Sequence, residues 1–244
     1  MNKTALITGG AQRIGAAIAR LLHQHDYDIF LHFGQSKQAA LKLQSELNEI
    51  REGSCVLISA DLTDENSALI IEEWFSEFHR PLDVLINNAS QFFPTPWQSA
   101  NNKDWHSIFA SNVQTPFFLI QKMLPFLTAC QGQVINLIDI HAERTLEQHP
   151  IYSASKAALK SLTLSLAKDE GAKIRCNGIS PGAILWPEQE ASQSEEEKQA
   201  ILNKIPMGRL GSVDNIADTV LFLCKNDYIN GQIINVDGGR TVYS

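Results

Sequence analysis

Residues 3–15 read KTALITGGAQRIG, an apolar run followed by a glycine turn and the start of a helical pattern. The run predicts a short buried strand, and IGAAIARLLHQH (14–25) has the apolar spacing of a helix. Small residues at Gly9, Gly10 and Gly15 would let a diphosphate rest on backbone N–H groups at the helix N-terminus, where the helix dipole favours negative charge. The spacing TGxxxxxG alone is weak evidence, because a plain tight turn can have the same composition.

The same alternation of strand and helix continues along the chain. Further strand candidates are DIFLHF, CVLISA, DVLINN, VINLID, IRCNGIS and QIINV, with helical stretches at 67–78 and 156–168 between them. Such alternation builds a parallel sheet covered by helices on both faces. The sequence therefore predicts an α/β fold, a doubly wound parallel sheet of about seven strands in a single domain over 1–244.

Composition excludes several classes of protein. Hydrophobic residues make up 44% of the 244, enough for a sizeable core, and the formal net charge of −7 argues against a nucleic-acid binder. No apolar run reaches membrane-spanning length, and the N-terminus does not resemble a signal peptide. The four cysteines are scattered without metal-ligand spacing, which predicts reduced thiols in the cytoplasm, no metal site and no disulfide framework.

Residues 183–206, AILWPEQEASQSEEEKQAILNKIP, depart from this alternation because they are polar and acidic. A solvated surface helix is one interpretation. Their place just after a strand's carboxyl end, where doubly wound sheets bind ligands, favours a mobile lid over a site.

The second strand ends without a carboxylate, in His32, Phe33, Gly34, Gln35 and Ser36. In dinucleotide-binding folds an acidic residue roughly 20 residues after the glycine turn binds the ribose hydroxyls. A carboxylate would repel a 2′-phosphate, whereas hydroxyl and amide donors together with His32 could bind one. We therefore predict NADP(H) rather than NAD(H), bound at this strand end.

Polar and small residues also follow the third and fourth strands. Asp61 and Leu62 follow the third, in a position suited to an adenine edge, and Asn88, Ala89 and Ser90 follow the fourth, where they could line the cofactor's path. Each of these residues is also common in turns. For any one of them taken alone, a structural turn is a better interpretation than cofactor binding.

Tyr152 and Lys156 are four residues apart, on one face of the predicted helix. A lysine cation beside a phenol favours the phenolate, so we expect Lys156 to lower the pKa of Tyr152 toward the working range. The lysine could also donate to a ribose hydroxyl. A YxxxK pair is common on helix surfaces, and this one gains weight from the other motifs.

In chain order, these motifs resemble those of the short-chain dehydrogenase/reductase family. They are TGxxxxxG, NNA, Asn112, YxxxK, the PG pair Pro181–Gly182 and DGG at 237–239. The resemblance implies a single Rossmann-like domain, a nicotinamide cofactor lined by Ile14 and the PG pair among others, and usually a homotetramer. It carries catalytic roles over to Asn112, Tyr152 and Lys156.

Three departures from the general family pattern resemble one subgroup, the pteridine reductases. Asp139 lies thirteen residues before Tyr152, where the family generally has a serine; Arg13 stands in the glycine turn; and NNASQFFPTP carries an aromatic pair. Bacterial dihydromonapterin and dihydrofolate reductases share part of this pattern. The resemblance implies hydride transfer to a C=N bond of a dihydropterin, biopterin or dihydrofolate. A structural alternative for Asp139 is a cap on the loop into 140–150.

The chemistry of a pterin assigns these residues roles. A flat heteroaromatic ring should stack between nicotinamide and an aromatic side chain, and Phe92 is the candidate. A place in the core, with Phe93 there, is the competing assignment for this pair. The ring nitrogen needs a proton, which an aspartate able to hold one could relay through Tyr152. Ser90 could donate to the pterin or to a cofactor phosphate.

Arg13 occupies a slot where many relatives keep glycine, so its side chain must leave the turn. The guanidinium could then neutralise the diphosphate and reach the substrate's carbonyl edge. Eukaryotic pteridine reductases commonly carry a basic residue where this chain has Gln35, and this departure weakens the argument for NADPH.

Two other functions stay open. A short-chain carbonyl reductase, such as one acting on 3-oxoacyl groups, would use the same scaffold, although Asp139 and the aromatic loop at 91–93 count against it. A non-catalytic regulator that senses NADP(H) is the third class, and the intact Asn112, Tyr152 and Lys156 count against it.

Overall fold

The structure, a computed structural model, describes residues 2–184 and 195–242. Seven strands form one parallel sheet in the order β3-β2-β1-β4-β5-β6-β7. The strands are β1 (Lys3–Ile7), β2 (Tyr27–Phe33), β3 (Cys55–Ser59), β4 (Val84–Asn87), β5 (Gln133–Leu137), β6 (Arg175–Pro181) and β7 (Ile233–Val236). The predicted Rossmann-like, single-domain α/β fold is confirmed.

Helices cover both faces of the sheet. They are α1 (Arg13–Gln24), α2 (Lys37–Ile50), α3 (Ser67–Ser76), α4 (Asn102–Phe109), α5 (Thr115–Thr128), α6 (Pro150–Asp169), α7 (Glu195–Leu202) and α8 (Val213–Lys225). A π-helical turn, Ala110–Gln114, joins α4 to α5, and a 3-10 turn, Ile140–Ala142, precedes α6. Among the described helices, none is both long and apolar enough to cross a membrane.

The apolar strands contribute side chains to two separate hydrophobic cores, one on each face of the sheet, because successive side chains of a strand point to opposite faces. From β1, Ala5 and Ile7 pack with α1, α2 and α8, whereas Leu6 packs with α3 and α5 on the other face. Burial on both faces explains why these strands are continuous apolar runs rather than alternating ones.

The strand order reverses between β1 and β4, which are neighbours in the sheet although two strands separate them in the chain. Ligands of doubly wound sheets bind in the crevice at such a switch point, outside the carboxyl ends of the strands. The glycine turn after β1 and the NNAS turn after β4 lie at this edge. The fold therefore brings together two motifs that are about eighty residues apart in the chain.

The predicted lid over 183–206 is described only in part. Residues 195–202 form α7, and residues 185–194, which include Trp186, lie outside the described part of the chain. Whether this segment closes over the site stays a prediction.

Candidate active site

The glycine turn has the shape of a phosphate cradle. Gly9 has a φ of +60°, and a Cβ there would lie 3.0 Å from the Ala89 Cα. A Cβ on Gly15 would lie 2.5 Å from the Gly9 carbonyl oxygen, so only glycine is accommodated. The N-cap of α1, Gln12, makes no side-chain capping hydrogen bond. The first-turn N–H groups therefore remain for an anion, as a dinucleotide diphosphate requires.

Hydrogen bonds from the NNAS turn fix this cradle. The Thr8 hydroxyl accepts from the backbone N–H groups of Asn88 (3.0 Å) and Ala89 (3.1 Å). The Asn88 amide donates to the carbonyls of Thr8 and Gly9, both at 2.9 Å. Asn88 and Ala89 thus shape the cradle itself. Sequence reasoning did not single out Thr8, although it precedes the first glycine.

Arg13, the first residue of α1, has a φ of +49° in the left-handed region. A non-glycine residue there costs roughly 1–2 kcal/mol. The side chain is exposed, and within residues 2–184 and 195–242 it has no hydrogen bond or ion pair. Ile14 beside it packs against the core. A strained, unpartnered cation at the edge of an anion cradle is typical of a ligand-binding residue.

His32 holds the glycine turn rather than facing a ligand. Its ring is buried; Nδ1 accepts from the Gly9 N–H at 3.1 Å, and Nε2 donates to the Ala60 carbonyl at 3.0 Å. Both ring nitrogens are engaged, so no donor is left for a 2′-phosphate. The expectation that His32 binds that phosphate is wrong. Phe33 is also buried in the core.

Burial lowers the pKa of His32 from its ordinary 6.5, since the charged ring would lose its water. Because the folded pKa is depressed, the unfolded chain binds the proton first, and stability present above about 6.5 is lost as the pH falls. We expect the free energy of unfolding to decline as the pH falls below about 6.5, by up to ~1.4 kcal/mol per pH unit from this group. Urea titrations at several pH values measure the decline.

In the His32→Asn variant, the free energy of unfolding should fall less steeply with decreasing pH than in the wild type. The matched control is His25→Asn, which changes an exposed histidine and should keep the wild-type slope. Equal slopes for both variants would contradict the buried, neutral state of His32.

The remaining predicted cofactor residues lie along the same sheet edge, with different exposures. Gln35 is exposed and Ser36 half-buried, its hydroxyl donating to Gln12 at 3.2 Å. Asp61 is exposed, and hydrogen bonds from Thr63 lower the pKa of its carboxyl. The Leu62 side chain packs in the core, so only its backbone can face an adenine.

Gly182, after the end of β6, lies tightly against the C-terminal turn. A Cβ there would be 2.7 Å from the Asp237 Cα, and the Gly182 N–H donates to the Val236 carbonyl at 3.0 Å. Pro181 and Gly182 thus form a narrow step at the carboxyl end of the sheet, where a ring could approach the backbone.

Tyr152 and Asp139 form a hydrogen-bonded pair. The Tyr152 hydroxyl donates to Asp139 Oδ2 at 2.8 Å, while Asp139 Oδ1 accepts from the His141 N–H at 2.9 Å and caps the 3-10 turn. The capping and the catalytic interpretations of Asp139 are therefore compatible. Asp139 is half-buried, and Tyr152 is only 5% exposed.

The pKa of Tyr152 is raised well above its ordinary value, first by burial and then by the adjacent Asp139 carboxylate. The expectation that Lys156 lowers this pKa is wrong for this arrangement. Lys156 Nζ donates to the Leu137 carbonyl at 2.9 Å and lies 5.7 Å from the Tyr152 ring centroid. Complete burial lowers the pKa of Lys156 to about 8. Tyr152 consequently keeps its proton, as a proton donor must.

Asn112 lies in the π-helical turn and is fully buried. Its amide bonds to the backbone of Gln91, to the Ser90 hydroxyl at 3.2 Å and to the Ser155 hydroxyl at 3.1 Å. None of these bonds reaches the Tyr152 hydroxyl or Lys156 Nζ. The Asn112 side chain therefore holds the loop after β4.

The loop after β4 presents Phe92 to the site. Phe92 is 51% exposed; its ring lies edge-on to Tyr152 at 4.8 Å and stacks on His149 at 4.6 Å with an interplanar angle of 9°. His149 thus covers one face of the ring, and about half of the Phe92 side chain stays exposed to a flat ligand. Phe93 is half-buried. No sequence pattern singled out His149.

A glycine cradle, a Tyr–Lys pair and a polar crevice on one doubly wound sheet define a dinucleotide-dependent oxidoreductase. A family model described as enoyl-(acyl carrier protein) reductase matches residues 9–241. The chain belongs to the short-chain dehydrogenase/reductase family.

Curated relatives of different activities match the chain over nearly its whole length. Pteridine reductase 1 of Leishmania tarentolae is 30% identical, covering 98% of this chain and 96% of that protein. A 3-oxoacyl-[acyl-carrier-protein] reductase of Staphylococcus aureus is 32% identical, covering 98% of each. Gluconate 5-dehydrogenase of Gluconobacter oxydans is 28% identical, covering 98% and 94%. Overall identity thus establishes an oxidoreductase of this family, and the substrate must be argued from the site.

Proposed function

We propose that the protein is an NADPH-dependent pteridine reductase that hydrogenates a C=N bond of a dihydropterin, biopterin or dihydrofolate. The observation that carries the proposal is the hydrogen bond of 2.8 Å between the Tyr152 hydroxyl and the Asp139 carboxylate. A serine at position 139 would suit a carbonyl oxygen, whereas a carboxyl group can pass a proton on toward nitrogen.

When bound, NADPH supplies the hydride that goes to the ring carbon. Tyr152, which keeps its proton because burial and Asp139 raise its pKa, donates that proton to the neighbouring ring nitrogen. Asp139 is half-exposed, so a proton taken up from water can pass through it to restore the phenol. Lys156 donates to the Leu137 carbonyl, and its remaining N–H donors would hold the ribose hydroxyls of the cofactor.

Phe92 and Ser90 support a flat, polar substrate. The exposed part of the Phe92 ring could stack with a flat substrate, and its contact with Tyr152 at 4.8 Å supports a substrate position next to the proton donor. Ser90 is exposed beside it, and its hydroxyl can donate to the pterin or to a phosphate by giving up its bond of 3.2 Å to Asn112 Oδ1. Arg13 can offer a planar pair of donors to the substrate's carbonyl edge.

The preference for NADPH over NADH rests on charge at the ends of β1 and β2. The strand end at 32–36 has no carboxylate, and Arg13 is unpaired within the described ranges 2–184 and 195–242. With His32 turned inward, Gln35 and Ser36 remain as donors to the 2′-phosphate, and Arg13 adds positive charge at the diphosphate. We expect kcat/KM to be higher with NADPH than with NADH; equal or reversed efficiencies would contradict this preference.

Arg13→Gly should change stability and binding in opposite directions. Glycine adopts the left-handed conformation freely, so the unliganded protein should gain up to about 1 kcal/mol in free energy of unfolding. The loss of the guanidinium should raise the Kd for NADPH by about tenfold and also raise the KM for the pterin. Thermal unfolding and fluorescence titration measure the two effects.

Arg20→Ala is the matched control for Arg13→Gly, because Arg20 is an exposed arginine on the same helix and pairs with Glu46. It should leave the affinity for NADPH unchanged. If Arg13→Gly bound NADPH with wild-type affinity, Arg13 would be a surface residue without a role in binding.

A panel of substrates tests the proposal against its alternatives. Purified protein and NADPH are mixed in turn with dihydrobiopterin, dihydrofolate and a 3-oxoacyl thioester, and nicotinamide absorbance is followed. The 3-oxoacyl relative matches this chain as well as the pteridine reductase does, so the carbonyl reductase is a genuine second candidate. Oxidation with a pteridine supports the proposal; oxidation with the thioester alone selects the carbonyl reductase, and none with any compound favours a regulator.

We also propose a homotetramer that works in the cytoplasm. Free thiols at all four cysteines are consistent with a reducing compartment. Exposed aromatic side chains on or next to α4 and α5, including Trp97, Trp105, Phe117 and Phe118, offer apolar area for contact between copies. Light scattering of the eluted protein measures the mass of the assembly, and a monomer or a dimer would contradict the tetramer.

A further inference from the structure

We infer that Ser155 is a positioning residue that, through Asn112, fixes the loop carrying Phe92 against the helix carrying Tyr152. The inference rests on the proposed function, because the position of Phe92 matters for a substrate that stacks on it. The Ser155 hydroxyl is hydrogen-bonded to the Asn112 amide and the Tyr152 carbonyl, so any effect on catalysis must pass through these groups.

On the loop side, the Asn112 amide is bonded twice to the backbone of one residue. The Gln91 N–H donates to Asn112 Oδ1 at 2.8 Å, and Asn112 Nδ2 donates to the Gln91 carbonyl at 3.0 Å. Two bonds between a planar amide and one residue's backbone fix both its position and its rotation. Gln91 lies between Ser90 and Phe92, so this pairing sets the direction of both side chains.

On the helix side, Ser155 accepts the second amide proton. Asn112 Nδ2 donates to Ser155 Oγ at 3.1 Å, and Ser155 Oγ donates to the Tyr152 carbonyl at 2.7 Å. Asn112 and Ser155 are both 0% exposed, so water cannot easily replace a lost bond. A continuous chain of hydrogen bonds thus joins the Gln91 backbone to the first turn of α6.

The loop has a second anchor that does not involve α6. The Ser107 hydroxyl, on α4, donates to Gln91 Oε1 at 2.5 Å. Removal of the Ser155 hydroxyl should therefore leave the loop attached to α4 while its register with Tyr152 loosens. The expected consequence is a misplaced Phe92 in a folded protein.

Ser155→Ala tests this role, with Ser153→Ala as the matched control. Ser153 is on the same helix, is also buried, and accepts one hydrogen bond, from the Leu146 N–H at 3.1 Å. Ser155→Ala should raise the KM for dihydropterin about tenfold and leave the Kd for NADPH within about twofold. Hydrogen exchange at the Gln91 N–H should accelerate in Ser155→Ala and stay at the wild-type rate in Ser153→Ala.

The outcomes separate this inference from the proposed function. If the wild type reduces a pterin and Ser155→Ala keeps its KM and its exchange rate at Gln91, the positioning role is wrong and the function stands. An equal change in Ser153→Ala would also overturn the role, because the effect would then be general to α6. If the wild type reduces no pterin, the proposed function fails, and exchange at Gln91 still decides whether Ser155 holds the loop. If Ser155→Ala does not fold, the same measurements of KM and of exchange at Gln91 are made on Ser155→Cys, whose S–H group is a weaker donor.

Discussion

Tyr152→Phe should reduce kcat for pterin reduction by about 10³- to 10⁴-fold while the protein stays folded and binds NADPH. The substitution removes only the hydroxyl, which is the group that donates to Asp139 at 2.8 Å and is placed to protonate the substrate. The ring remains, so its edge-on contact with Phe92 is kept. Steady-state kinetics give kcat, and fluorescence titration gives the affinity for NADPH.

Tyr228→Phe is the control for this experiment, because Tyr228 is 97% exposed and far in sequence from the site. It should behave as the wild type. If Tyr152→Phe kept more than about a tenth of the wild-type kcat, another group would have to donate the proton, and the pair with Asp139 would lose its assigned role.

Asp139→Asn should lower kcat for the pterin by about 10²-fold. Asparagine has nearly the same shape and can still accept from the His141 N–H, so the cap of the 3-10 turn is preserved. It cannot hold a proton and pass it on to restore the Tyr152 phenol after each turnover. The fall should therefore appear in kcat rather than in the free energy of unfolding.

Asp64→Asn is a matched control for Asp139→Asn. Asp64 is an exposed aspartate that accepts from the backbone N–H of Asn66 at 2.8 Å, much as Asp139 accepts from His141. Its substitution should leave kcat unchanged. A wild-type kcat in Asp139→Asn would reduce Asp139 to a capping residue.

Much of the fold could be predicted from the sequence because the strands are buried on both faces. Such strands are continuous apolar runs bounded by turn residues, and each run named in the sequence is a strand of the sheet. The glycine cradle was also predictable, because its close backbone contacts require glycine. At position 15, for example, a Cβ would collide with the Gly9 carbonyl oxygen.

The environment of individual polar side chains could not be predicted in the same way. His32 is the last residue but one of β2, and whether it faces the crevice or lies under the glycine turn depends on how β2 pairs with β1 and β3. Helical spacing correctly predicts that Lys156 lies near Tyr152. The hydrogen-bond acceptor of Lys156, however, is the carbonyl of Leu137 at the end of β5, which the spacing does not indicate. The stack of His149 on Phe92 joins two loops with no shared sequence pattern.

The proposed chemistry is tested most directly by following the transferred hydrogen. Wild-type protein is mixed with a dihydropterin, a 3-oxoacyl thioester and NADPH that carries deuterium at the transferable position, and the products are analysed by mass spectrometry. The account predicts a tetrahydropterin with one deuterium at the ring carbon next to the reduced nitrogen, in a yield that Tyr152→Phe and Asp139→Asn sharply reduce. An unlabelled pterin, with deuterium transferred instead to a 3-oxoacyl thioester, would contradict it.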